Sequence, residues 1–113
     1  MTNATAITDA TFEQDVVRAS GVTVAKFTAE WCGPCRMMAP HFEALATARA
    51  ADARFVEVDA DASPAASARY GVRGLPTVLY FRDGALVGQV MGAVPRPKLE
   101  AELDRVAGLS AGA

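Results

Sequence analysis

The chain has 113 residues, a formal net charge of −2 and 51% hydrophobic residues, 24 of which are alanine. Leu, Ile, Val and Phe fill 25 positions, just above the roughly 20% below which chains tend toward disorder, so one folded domain with a compact core is expected. A pI near 5.3 with no basic run excludes nucleic acid as the main partner, and no apolar run approaches the roughly 18 residues of a spanning helix.

The first basic residue is Arg18, and Ile7 is the only large apolar residue between Met1 and Ala10 besides Met1 itself. No export signal is therefore expected, and the chain reads as cytoplasmic. Thr11-Phe12-Glu13-Gln14 resembles a capping box, with Phe12, Val16 and Ala19 following at helical spacing and Ser20-Gly21 stopping the helix. Val22 to Thr28 is rich in β-branched residues and nearly all apolar, as a strand buried on both faces is. A helix follows from about Pro34 to Ala51, with Met38, Phe42 and Leu45 on one stripe and Pro40 breaking one hydrogen bond inside it. Arg54 to Asp59 reads as a second buried strand, and Ser63 to Tyr70 as a short helix ended by Gly71. Thr77 to Phe81 and Ala85 to Met91 flank Arg82-Asp83-Gly84, and Asp-Gly between such runs signals a hairpin. Pro95 and Pro97 open a last helix with Leu99, Leu103 and Val106 on its apolar face; Gly108 closes it, and about 109–113 should fray. The alternation of strands and helices gives an α/β domain spanning 1–113, with a mixed sheet covered by helices on both faces. His41 reads as an exposed or half-exposed helix residue, and Met37, Met38 and Met91 as packing residues.

The chain has two cysteines, Cys32 and Cys35. A disulfide closing so short a loop adds little stability, so a structural staple is a poor reading. A redox pair or half of a metal site remains, and no second pair of ligands completes a zinc site. Trp31-Cys32-Gly33-Pro34-Cys35 lies between a buried strand and a long helix. A helix N-terminus there favours a thiolate on Cys32, the form that attacks disulfides. Cys35, one turn on, can resolve the mixed disulfide. Cys32 is then the accessible nucleophile and Cys35 the protected partner. Gly33 lets a substrate backbone approach, Pro34 suits the first turn, and Trp31 offers a flat apolar platform.

From about Ile7 to Ala107 the sequence resembles the thioredoxin family. The resemblance rests on Ala29-Glu30-Trp31-Cys32-Gly33-Pro34-Cys35-Arg36, on Pro40, on Tyr70-Gly71-Val72-Arg73-Gly74-Leu75-Pro76-Thr77 and on Gly92-Ala93. It implies a thioredoxin fold, with a central sheet of about five strands flanked by about four helices. It also implies a cis Leu75–Pro76 bond against the redox pair, a substrate surface including Trp31, Gly74, Leu75, Pro76 and Gly92, protein disulfides as substrates and a thioredoxin reductase as electron donor. No cofactor, metal or membrane is implied, and the protein is expected to be a monomer. The alternative is a binding module of this fold whose cysteines are dispensable.

One departure stands out. The family usually has an Asp in the strand before the motif and a Lys facing it in the next strand. The matching residues here are Lys26 and Glu57. Either Lys26 snorkels from a shallow position, or the two form an ion pair with its charges exchanged that tunes the redox pair.

Overall fold

The computed structural model describes residues 3–109. Five strands, β1 (Ala4–Ile7), β2 (Val22–Thr28), β3 (Arg54–Asp59), β4 (Thr77–Arg82) and β5 (Ala85–Met91), form one sheet in the order β1-β3-β2-β4-β5. β1, β3 and β2 run parallel, whereas β4 and β5 pair antiparallel, so the sheet is mixed. Four α-helices accompany it: α1 (Asp9–Phe12), which continues into a π-type turn over Glu13–Val17, α2 (Gly33–Ala48), α3 (Pro64–Arg69) and α4 (Arg96–Ala107).

Strand alternation divides the core in two. Val22 and Val24 of β2, with Phe55, Val78 and Tyr80, pack against Phe42 and Leu45 of α2 and Leu99 and Leu103 of α4. Ala25 and Phe27 of the same strand point the other way, joining Val56, Leu79 and Phe81 against Phe12, Val16 and Ala66 of the α1 and α3 side. The apolar run of β2 thus serves two layers at once, and all but its last residue are buried.

The local signals place most elements. Asp83 (φ 52°) and Gly84 (φ 84°) both take the left-handed backbone of a primed hairpin turn. Asp83 also donates its N–H to the Gly21 carbonyl at 2.8 Å and accepts the Gly21 N–H on Oδ1 at 2.7 Å, which ties the turn to the loop before β2. Leu99, Leu103 and Val106 are fully buried. Leu109 donates to the Val106 carbonyl at 3.1 Å, so it still belongs to the last turn; the rest of the expected tail lies outside the described residues.

One strand, β1, is absent from the sequence reading, and two helix boundaries differ from it. β1 carries only four residues and is held by parallel pairing with β3, a partner some fifty positions away in sequence. The first helix begins at Asp9, because the Thr8 N–H is taken by Thr11 Oγ1 at 3.3 Å. α2 ends at Ala48, where Arg49 caps Leu45 with its N–H and turns its guanidinium to Asp52, Glu100 and Asp104 at 2.6–3.0 Å, clamping α2 to α4. Of the three methionines expected to pack, only Met38 is buried; Met37 and Met91 are exposed on the surface.

Candidate active site

The chain leaves β2, turns through Ala29-Glu30-Trp31 and enters α2 at Gly33. Cys32 is the N-cap of α2, and its Sγ accepts the Cys35 N–H at 3.2 Å, as a serine or aspartate oxygen does at other helix starts. Pro34, at the second helical position, has no N–H to leave unpaired. The Arg36 guanidinium closes the turn by donating to the Glu30 carbonyl. Cys32 and Cys35 are joined in a disulfide, with their Cα atoms 5.2 Å apart.

In this oxidised pair both sulfur residues are covered: Cys32 is 4% exposed and Cys35 2%. The contrast between an open Cys32 and a protected Cys35 is therefore absent from the disulfide form. Ala29 shares one apolar cluster with the two cysteines, and the partly buried Leu75 packs against it.

The second loop of the site comes from the start of β4. The Leu75–Pro76 bond is cis, as the resemblance implies. Thr77 Oγ1 donates to the Gly74 carbonyl at 2.6 Å, and the Gly92 N–H donates to the Pro76 carbonyl at 2.9 Å, so Gly74, Pro76 and Gly92 belong to one hydrogen-bonded corner. Gly92 takes φ 86°, which explains glycine there. Trp31 is 67% exposed, and its indole N–H donates to Asp61 Oδ2 at 2.6 Å. Trp31, Asp61, Arg73 and Leu75 line a groove of about 290 Å³ beside the pair. Asp61 was not legible in the sequence, because it lies thirty positions from its indole partner with no local motif to mark it.

Behind the pair, Lys26 and Glu57 are direct neighbours in the β2–β3 register. Lys26 Nζ lies 3.4 Å from Glu57 Oε1 and 4.9 Å from the centre of the Phe42 ring. Lys26 is 2% exposed, which rules out snorkelling, and Glu57 is 30% exposed. Both line a cleft of about 550 Å³ that Cys35 also lines. The sequence-predicted residues thus fall into two groups, one at the mouth of the disulfide and one behind it. No group of three or more His, Cys, Asp or Glu side chains among the described residues is arranged to hold a metal ion.

The thioredoxin family model matches residues 3–105. The chain belongs to the thioredoxin family. It is 42% identical over 105 residues to thioredoxin 1 of Synechococcus elongatus, covering 93% of this chain and 98% of that one. It is 44% identical over 93 residues to the thioredoxin of Rhodospirillum rubrum, covering 82% and 89%. To the thioredoxin of Pseudomonas aeruginosa it is 39% identical over 98 residues, covering 87% and 91%. With the Cys32–Cys35 disulfide at its helix start, this thioredoxin-family chain is a thiol–disulfide oxidoreductase of the protein-disulfide reductase type. The reading as a binding module with dispensable cysteines is not favoured.

Proposed function

We propose that this protein reduces protein disulfides with Cys32 as the attacking sulfur and Cys35 as the resolving one. The observation that carries this assignment is the place of the two residues at the start of α2. Cys32 is the N-cap, where the helix dipole and the Cys35 N–H favour a thiolate, whereas Cys35 lies inside the first turn. Attack by the Cys32 thiolate breaks the substrate disulfide and forms a mixed disulfide. Cys35 then attacks Cys32 Sγ, closes the Cys32–Cys35 bond and releases the second substrate thiolate. Two electrons pass from the dithiol to the substrate, and no cofactor is needed.

Substrate would lie over Trp31, Gly74, Leu75, Pro76 and Gly92. The support is that Leu75 packs on the pair and that Gly74 and Gly92 are exposed beside it. Gly33 has nothing within 4 Å of where a Cβ would be, so a partner's backbone meets no side chain there. Lys26 and Glu57 tune the pair from behind. The protein acts as a monomeric, single-domain electron carrier in the cytoplasm, recharged by a thioredoxin reductase; in a reducing compartment a dithiol of this kind is catalytic, not structural. No helix among the described residues is long and apolar enough to cross a membrane.

Trapping tests the two roles. Cys35→Ser should accumulate a mixed disulfide between Cys32 and an oxidised protein such as insulin, stable until a reductant is added. Cys32→Ser should accumulate none. Equal trapping by both variants would refute the assignment.

A further inference from the structure

The resolving step needs Cys35 to lose a proton in a place that solvent hardly reaches. Cys35 is 2% exposed, and the side chain opens into the cleft of about 550 Å³ behind the pair. The ionisable residues lining that cleft are Lys26, Glu30, Arg36, Glu57 and Asp59. Three carboxylates are thus candidates to receive the proton. Asp59 is occupied at a turn, where its Oδ1 accepts the N–H groups of Asp61 and Ala62 at 2.9 and 3.3 Å. Glu30 lies on the exposed turn before the motif, with Arg36 bound to its carbonyl. Glu57 differs from both. It sits in a sheet strand, is half-buried, and is held by an ammonium that is itself buried.

We infer that Glu57 receives the proton of Cys35 through the cleft, and that Lys26 is a positioning residue that holds Glu57 there and favours the Cys35 thiolate electrostatically. The inference rests on the two-cysteine mechanism proposed above. Each part follows from the placement. Val22, Val24 and Lys26 form the α2-facing stripe of β2, and Lys26 ends that stripe over Phe42. Glu57, its register neighbour on β3, faces the same helix. The cation is therefore the inner charge and the carboxylate the outer one. An inner cation lowers the energy of any thiolate sharing its cleft, whereas an inner carboxylate would raise it. The outer carboxylate keeps contact with solvent and can pass the proton on. The cleft carries charged groups in its wall and reaches solvent at the half-buried Glu57, so water entering it would link the thiol to the carboxylate. In the step itself the Cys35 S–H bond breaks, and the Cys35 sulfur bonds Cys32 Sγ. The substrate thiolate leaves with the electron pair, and the proton goes to Glu57 and from there to solvent or the leaving thiolate.

The two sulfur steps separate with dithiobis(nitrobenzoate), supplied at one equivalent to the reduced protein. Attack by Cys32 releases the first coloured thiolate, and resolution by Cys35 releases the second. The ratio of the second rate to the first reports Cys35 alone, with the first phase as reference for folding. For Glu57→Gln this ratio should fall about tenfold near pH 6 and return to within about twofold of the unaltered protein above about pH 9, where hydroxide takes the proton instead. Glu57→Asp, which keeps a carboxylate, should restore most of the loss. Lys26→Met should move the pH midpoint of the second phase up by about one unit. A Glu57→Gln ratio equal to that of the unaltered protein at every pH, or an equal slowing of both phases, would overturn the inference. So would a Lys26→Met midpoint that stays or falls. If the unaltered protein releases only one equivalent, the two-cysteine mechanism itself fails, before any variant is compared.

Discussion

Truncating Glu57 should cost this protein more stability than truncating Lys26, although the two are partners in one ion pair. The asymmetry comes from their burial: Lys26 is 2% exposed and Glu57 30%. Removing one partner of a fully buried pair costs about 3–5 kcal/mol, most of it the energy of the charge left behind. For Glu57→Gln the charge left behind is the buried ammonium. The amide oxygen still accepts a hydrogen bond, which brings the expected loss to about 2–3 kcal/mol. The penalty has a ceiling, since deprotonating a lysine of ordinary pKa at neutral pH costs about 4.6 kcal/mol. For Lys26→Met the remaining carboxylate keeps solvent contact. Methionine fills the slot over Phe42 but forfeits the cation–π contact at 4.9 Å; a loss of about 1 kcal/mol is expected. The double variant leaves no buried ammonium and should also lose about 1 kcal/mol, so adding Lys26→Met to Glu57→Gln should restore stability. The measurement is a double-mutant cycle on urea unfolding at constant slope. Effects additive within about 0.5 kcal/mol, or a Lys26→Met loss larger than that of Glu57→Gln, would refute the reasoning.

Other consequences are more local. A Cβ on Gly84, which has φ 84°, would come within 1.9 Å of the Val17 carbonyl oxygen, and both are backbone features that cannot step aside; Gly84→Ala should lose more than about 2 kcal/mol by urea midpoint, and a loss under about 1 kcal/mol would contradict the contact. Tyr80 is fully buried and donates to the Leu99 carbonyl at 2.8 Å, so Tyr80→Phe should cost about 1–2 kcal/mol. Burial, and secondarily the charge of Glu102, raises the Tyr80 hydroxyl above its ordinary value. Its stabilising effect is therefore full below about pH 10 and is lost as the pH climbs further, and Tyr80→Phe should lack this alkaline slope in a stability–pH profile. The Asp9 carboxylate caps α3 from another element, accepting the Ala65 and Ala66 N–H groups at 2.9 Å each; Asp9→Ala should lose about 1 kcal/mol, read from thermal or urea unfolding.

The sequence made legible what is local. β2, with apolar residues serving two layers, the Asp83-Gly84 turn and the 99–103–106 stripe of α4 each carry their signal within a few residues. β1 does not: Ala4-Thr5-Ala6-Ile7 has little strand propensity of its own and exists by pairing with β3. At the site, the Cys32–Cys35 spacing and the helix start were readable, and so was the exchange of charge at Lys26 and Glu57, because each departs from the family pattern. Their contact distance, and the cleft they share with Cys35, depend on the packing of α2 over the sheet. The same holds for the Asp61 carboxylate on Trp31 and for the packing of Leu75 against the cluster that holds the two cysteines. Such contacts join residues far apart in sequence, and only the folded arrangement brings them together.

The central claim, that the Cys32–Cys35 couple reduces protein disulfides, is tested most directly by insulin reduction with catalytic amounts of the protein and dithiothreitol as terminal reductant. Precipitation of the free insulin B chain should begin earlier and run faster in proportion to the protein added, and Cys32→Ser should bring it back to the rate with dithiothreitol alone. A rate that does not respond to added protein, or a Cys32→Ser/Cys35→Ser variant that accelerates as well as the unaltered chain, would contradict the account.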